Sequence, residues 1–236
     1  MAEMLLLSNS TAPGCGFLDH ALGVIAEALQ GRRRVVFVSF ASGDPDRYTG
    51  LMQDRLAQLG VRVDAAHAAA DPRRAVLEAE AVFVGGGNSF RLLDRLSALD
   101  LAGALRARII GGVPYLGASA GALLACPTIR TTNDMPIVEP GSLQALGLIP
   151  FQVNAHYPDR ETSGPGTGGT RQRQIQGFLE ENAVPVLGMP EGTWLRVSGL
   201  TAALGGVTGC VLFRRGTGPQ ELRAGSDVSW LWKLPE

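Results

Sequence analysis

The five residues Gly117-Ala118-Ser119-Ala120-Gly121 have the form G-x-S-x-G. An apolar run, Val113–Leu116, leads into them, and a run of small residues, Ala120–Ala125, leads out. A serine placed at a sharp strand-to-helix turn has a strained backbone and an outward hydroxyl, and glycines on either side keep the crossing uncrowded. The helix that follows aims backbone N–H groups at any oxyanion formed there. A plain small-residue turn packed on a sheet would have the same composition. The pentapeptide alone therefore leaves nucleophile and simple turn level.

A serine hydroxyl becomes a useful nucleophile only beside a base. The chain has 3 histidines. His20 falls in the first helical region and reads as a surface residue, and His67 follows the third strand in an alanine-rich loop. His156, in Asn154-Ala155-His156-Tyr157-Pro158, comes directly after a strand and is the best base. A third group must orient the imidazole, and two acids compete for this place. Asp134 lies in the polar stretch Thr131–Pro136, and Glu191 lies in Met189-Pro190-Glu191-Gly192-Thr193. Spacing does not separate them, because such groups need meet only in space. Gly85-Gly86-Gly87-Asn88 also follows a strand and opens a helix. It lacks the lysine of a phosphate-binding P-loop and the spacing of a dinucleotide fingerprint. Its N–H groups read better as the second half of an oxyanion hole, Gly87 beside Ala120.

The elements that must position these residues follow a strand–helix rhythm. Strands are predicted at Met4–Asn9, Val35–Phe40, from Val61, at Ala81–Val84 and at Val113–Leu116. Helices are predicted at Leu18–Gln30, Asp46–Leu59, Pro72–Glu80, Ser89–Leu99 and Leu101–Ile110, from apolar spacing and from stop and start signals such as Gly31, Gly60 and Asp71-Pro72. This pattern implies an α/β fold, a mostly parallel sheet with helices on both faces. Ligands of such sheets bind at the carboxyl ends of the strands. Beyond Pro140 the pattern changes to a strand at Leu148–Ala155, a Gly-rich loop at Ser163–Thr170, a helix at Arg171–Asn182 and then short strands. Those strands either extend the same sheet or form a small second one. No linker interrupts residues 1–236, which read as a single domain.

Composition removes several function classes. The chain of 236 residues is 45% hydrophobic and only 18% charged, with a net charge of −1. Its longest basic run is Arg32-Arg33-Arg34, so no nucleic-acid footprint is visible. Cys15, Cys126 and Cys210 are far apart and odd in number, which fits neither a disulfide framework nor a metal site and suits a reducing cytoplasm. Ile109–Ile129 has no charge and is long enough to span a bilayer. Its glycines and prolines fit a strand, a turn and a buried helix better, so no membrane association is expected.

Taken together, Gly85-Gly86-Gly87-Asn88, the Ser119 turn, Thr128–Pro140, Asn154-Ala155-His156, Gly169-Thr170-Arg171 and Pro190-Glu191-Gly192-Thr193-Trp194 resemble the peptidase E family, the α-aspartyl dipeptidases. The likeness runs along nearly the whole chain. It implies a fold like the class I glutamine amidotransferases with serine in place of cysteine, and hydrolysis of dipeptides with N-terminal aspartate without metal or cofactor. By the resemblance Ser119 is the nucleophile, His156 the base and Glu191 the orienting acid, while Asp134 matches an aspartate also assigned to the relay. Arg171 matches an arginine that binds the substrate aspartate, which suits a planar guanidinium, and Asn88 joins it as a substrate contact. The sequence departs from the pattern at Gly169, where glutamate is expected, at Ala118, where tryptophan is common, and between His156 and Arg171. These departures bear on substrate range. A cyanophycinase-like hydrolase of aspartate-containing polymers and a non-catalytic binding domain of the same fold are the competing readings.

Overall fold

The computed structural model describes residues 3–158 and 167–233, without the side chains of residues 167 and 168. Five parallel strands form its centre: β1 (Glu3–Leu7), β2 (Arg34–Val38), β3 (Arg62–Ala65), β4 (Ala81–Val84) and β5 (Tyr115–Ala118). Two later strands, β8 (Thr193–Ser198) and β9 (Thr201–Gly206), join antiparallel beside β1, giving the order β3-β2-β4-β5-β1-β8-β9. A second sheet of four strands has the order β11-β10-β7-β6, from β6 (Gln152–Ala155), β7 (Val186–Met189), β10 (Cys210–Phe213) and β11 (Gln220–Leu222). The C-terminal strands thus do both things the sequence allowed: β8 and β9 extend the main sheet, and β7, β10 and β11 join β6 to build another.

The strand sequences explain the layering. Side chains alternate across a strand, and strands buried on both faces read as continuous apolar runs. Leu5, Leu7, Val35, Phe37 and Phe83 point to one face, under α1 (Leu22–Ala28) and α2 (Pro45–Ala57). Met4, Leu6, Val36, Val38, Val82 and Val84 point to the other, under α4 (Ser89–Ala98), α5 (Leu101–Ile110) and α6 (Ala120–Leu124). The second sheet closes the latter core with Val153, Leu187 and Met189. Its far face packs Val186 and Phe213 against Ile175 and Leu179 of α7 (Thr167–Glu181).

Helix starts follow local chemistry. Asp44 accepts from Arg47 N at 3.0 Å ahead of Pro45, and Asp71 accepts from Arg74 N at 2.9 Å ahead of Pro72, which opens α3 (Pro72–Leu77). Such caps satisfy N–H groups that have no partner within the helix. The predicted first helix is shorter than its apolar spacing suggested. A 3-10 turn, Asp19–Ala21, precedes α1, because Leu18 has φ 57°, a conformation no α-helix contains. His20 sits in that turn and is not a plain surface residue. Both ring nitrogens are shielded from solvent without partners, and burial lowers its pKa. Helix α7 begins at Thr167 instead of Arg171. Half of the predicted Gly-rich loop, residues 163–166, lies outside the described residues. The uncharged stretch from Ile109 contains the end of α5, β5 and α6. Among the described residues no helix is long and apolar enough to cross a membrane.

Candidate active site

Ser119 stands one residue beyond β5, at the carboxyl edge of the main sheet. Its N–H donates to Leu7 O at 3.0 Å, continuing the ladder with β1 before the chain turns into α6. Its backbone has φ 53° and ψ −111°, outside the regions a serine ordinarily occupies. The flanking glycines are a steric requirement: a Cβ on Gly117 would meet the Gly121 carbonyl, and one on Gly121 would meet Val84 O. The Tyr115 hydroxyl, fully buried, donates to Gly121 O at 2.6 Å and ties the turn down.

His156 follows β6 in the same relation, one residue past a strand end, with φ 54°. The structure brings it to Ser119: Nε2 lies 3.0 Å from Ser119 Oγ. On the other side of the ring, Nδ1 lies 2.8 Å from Glu191 Oε1. A Nδ1–H facing the carboxylate leaves Nε2 unprotonated toward the serine, the tautomer a base needs. Glu191 rides on the turn between β7 and β8, where Gly192 has φ 79°. The His156 and Glu191 side chains are each 43% exposed, so the relay opens to solvent.

Two supports escaped the sequence reading. Ser8 Oγ donates to Met189 O at 2.8 Å and accepts from His156 N at 3.0 Å, so one buried hydroxyl at the end of β1 holds the ends of β6 and β7. Asn9 Oδ1 accepts from Gly192 N at 2.8 Å and steadies the Glu191 turn. Their signal was the polar triplet Ser8-Asn9-Ser10 directly after a buried apolar strand.

Asp134 stands elsewhere. Its Oδ2 accepts from Ser89 N at 2.7 Å, Ser89 Oγ at 2.6 Å and Thr132 Oγ1 at 3.0 Å. The next residue but one, Thr132, and the neighbouring Asn133 belong to the same loop. Asn133 Nδ2 donates to Ala155 O at 2.7 Å, so the loop links the start of α4 to the strand end bearing His156. Asn88 caps α4 by accepting from Arg91 N at 3.0 Å and donates to Met135 O at 2.8 Å, so both ends of its amide hold the fold. Arg171 lies half-buried in the first turns of α7 and donates to Gln174 Oε1 at 3.0 Å. Burial lowers its pKa, and the Asp134 charge opposes that, which puts Arg171 within electrostatic reach of Asp134.

The glycine loop lies against the serine: a Cβ on Gly86 would stand 3.1 Å from Ser119 Cβ. Gly87, with φ 131°, is solvent-exposed, and a Cβ there would strike Ala41 O. Ala120 is the first residue of α6, where an N–H has no partner within the helix. Among the described residues no group of three His, Cys, Asp or Glu side chains is placed to hold a metal ion.

Comparison with known proteins shows the family. Residues 4–205 match the model of peptidase family S51. The chain is 52% identical over 229 residues to a Streptomyces coelicolor protein named Peptidase E, covering 97% of this chain and 94% of the other. It is 46% identical over 226 residues to a Citrobacter koseri protein of the same name, covering 94% and 98%. The fold also matches the crystal structure of a peptidase from an acI-B1 actinobacterium, with a TM-score of 0.69 and 17% identity over 97% of this chain and 96% of that one. The chain belongs to peptidase family S51, and it is a serine peptidase that acts on small peptides.

Proposed function

We propose that this member of family S51 hydrolyses dipeptides with an N-terminal aspartate through Ser119, His156 and Glu191. The observation that carries the reading is the unbroken line of hydrogen bonds from Glu191 Oε1 through both imidazole nitrogens to Ser119 Oγ. His156 Nε2 takes the Ser119 proton as Oγ attacks the scissile carbonyl. Glu191 steadies the resulting imidazolium. The oxyanion is held by the N–H groups of Gly87 and Ala120, each such donor being worth about 3 kcal/mol. His156 then protonates the leaving amine, the acyl-enzyme forms, and a water deprotonated by His156 releases the first residue.

In this reading Glu191 takes the third place in the relay. Asp134 carries the loop that joins α4 to β6, because its hydrogen bonds go to Ser89 and Thr132. Arg171 binds the substrate carboxylate by paired hydrogen bonds, and Asn88 holds the site beside it. Cys15, Cys126 and Cys210 are free thiols, which supports a cytoplasmic location. One apolar cluster contains both Met4 and Leu231, which supports a single folding unit.

The test is hydrolysis of Asp-Leu beside Glu-Leu, Ala-Leu, an Asp-containing tripeptide and an aspartate-containing polymer, with Ser119→Ala as control. Selective cleavage of Asp-Leu, lost in the variant, is expected. Broad cleavage would retire the aspartate preference and keep the serine mechanism. Preferential cleavage of an aspartate-containing polymer would replace the dipeptidase reading with the polymer hydrolase.

A further inference from the structure

We propose that Tyr48 is a positioning residue that turns the Gly87 N–H toward the carbonyl oxygen of the substrate. The inference rests on the reading of Gly87 as an oxyanion donor. It comes from the hydrogen bonds of consecutive N–H groups along the glycine loop. Gly85 N donates to Val38 O at 2.9 Å, Asn88 N to Ala41 O at 3.0 Å and Ser89 N to Asp134 Oδ2 at 2.7 Å. Gly86 N donates to Tyr48 Oη at 3.0 Å. Of the five N–H groups from Gly85 to Ser89, only that of Gly87 meets no acceptor among the described residues. Each neighbouring peptide is therefore held in one orientation, while the unpaired donor directly follows Gly86, the glycine packed against Ser119. A preorganised donor of this kind has no reorientation to undergo when charge develops.

Among those acceptors, the phenol is a single side-chain atom reaching the loop from a different helix. Its ring is wedged edge-on against Phe37 and Phe17, with centroids 5.0 Å and 5.9 Å away. A Cβ on Gly85 would lie 2.7 Å from Tyr48 Cε1, so the ring is pressed onto the loop itself. Oη also lies 3.0 Å from Ser10 Oγ. Burial raises the phenol pKa, which keeps it neutral, able to accept from Gly86 N and still to donate to Ser10. Without Oη, the Gly86 N–H becomes a second unpaired donor and the peptides on either side of it are free to rotate.

Tyr48→Phe tests this, because it keeps the ring and removes one atom. The substrate is whichever dipeptide the wild type cleaves fastest. The expected result is a fall in kcat of about 10-fold or more, with KM within about twofold and the melting temperature little changed. A peptide aldehyde that adds to Ser119 should weaken by the same factor as kcat/KM. Ser10→Ala, which leaves Tyr48 in place with one partner fewer, should show a smaller loss of kcat. Unchanged kcat in Tyr48→Phe, or a change in KM alone, would overturn the proposal. If Tyr48→Phe folds poorly, Ser10→Ala decides, and full kcat there overturns it. Ser119→Ala separates the two levels. A dead Ser119→Ala beside a fully active Tyr48→Phe sinks only the role of Tyr48, whereas an active Ser119→Ala sinks the serine mechanism beneath it.

Discussion

The carboxyl edge of the main sheet holds two Ser–His–acid lines. Ser119 and Ser39 each stand one residue beyond a parallel strand, β5 and β2. Ser39 Oγ lies 3.0 Å from His67 Nδ1, and His67 Nε2 lies 2.8 Å from Asp46 Oδ1. The hydrogen-bond lengths match those of Ser119, His156 and Glu191, yet the surroundings are opposite. Ser39 is fully buried, its backbone φ is not positive, and it meets the other imidazole nitrogen. The carboxylate at the far end of its line is 91% exposed. Ser119 has a forced turn, glycines beneath it and a glycine loop beside it. On the proposed mechanism, three side chains in a row thus do not make a nucleophile. Access and aimed backbone donors do, and these are features of the main chain.

The sharpest way to break this contrast is to remove each hydroxyl in turn. Ser119→Ala should lower dipeptide hydrolysis by roughly 10⁴-fold or more, while Ser39→Ala should stay within about twofold of the wild type in the same assay. Next come the acids. Glu191→Gln should cost about 10³- to 10⁴-fold in kcat, since an amide there favours the wrong imidazole tautomer, and Asp46→Asn should leave kcat unchanged. Stability then reverses the ranking. Ser39→Ala strips the partner from a largely buried imidazole nitrogen and should cost about 1–2 kcal/mol by denaturant titration, whereas Ser119→Ala relieves nothing buried and should cost less. The smallest effect concerns the thiols. Burial pushes Cys126 and Cys210 up to about 12, so both stay protonated at pH 8. A thiolate-directed reagent should therefore label only Cys15 in the native protein, and all three cysteines after unfolding.

What the sequence revealed divides along the same line. The Ser119 turn was legible because a strained crossing demands small residues at fixed positions, and Gly117 and Gly121 advertise it. The glycine loop was legible for the same reason. His156 could be found because few histidines compete. The choice between Glu191 and Asp134 could not be made, since each lies in a polar turn and only strand order decides which turn faces the imidazole. Ser8, Asn9 and Tyr48 were invisible as supports for a similar reason: their partners lie 148, 183 and 38 residues away. Helix edges slipped where one left-handed residue intervened, as at Leu18. The second sheet could not be separated from the first, because β7 to β11 are all short and their partners are set by packing.

The hydroxyl of Ser119 belongs to the earlier part of the chain, whereas His156 and Glu191 come later, on turns held by Ser8 and Asn9 near the beginning. On the ribosome, the segments that form β1 to β5 and the serine turn emerge first. In the proposed relay the base follows only with residue 156 and the acid only with residue 191, after which β8 can pair with β1 and β9 with β8. On the proposed mechanism, hydrolysis requires both halves of the polypeptide to have been made and to have met.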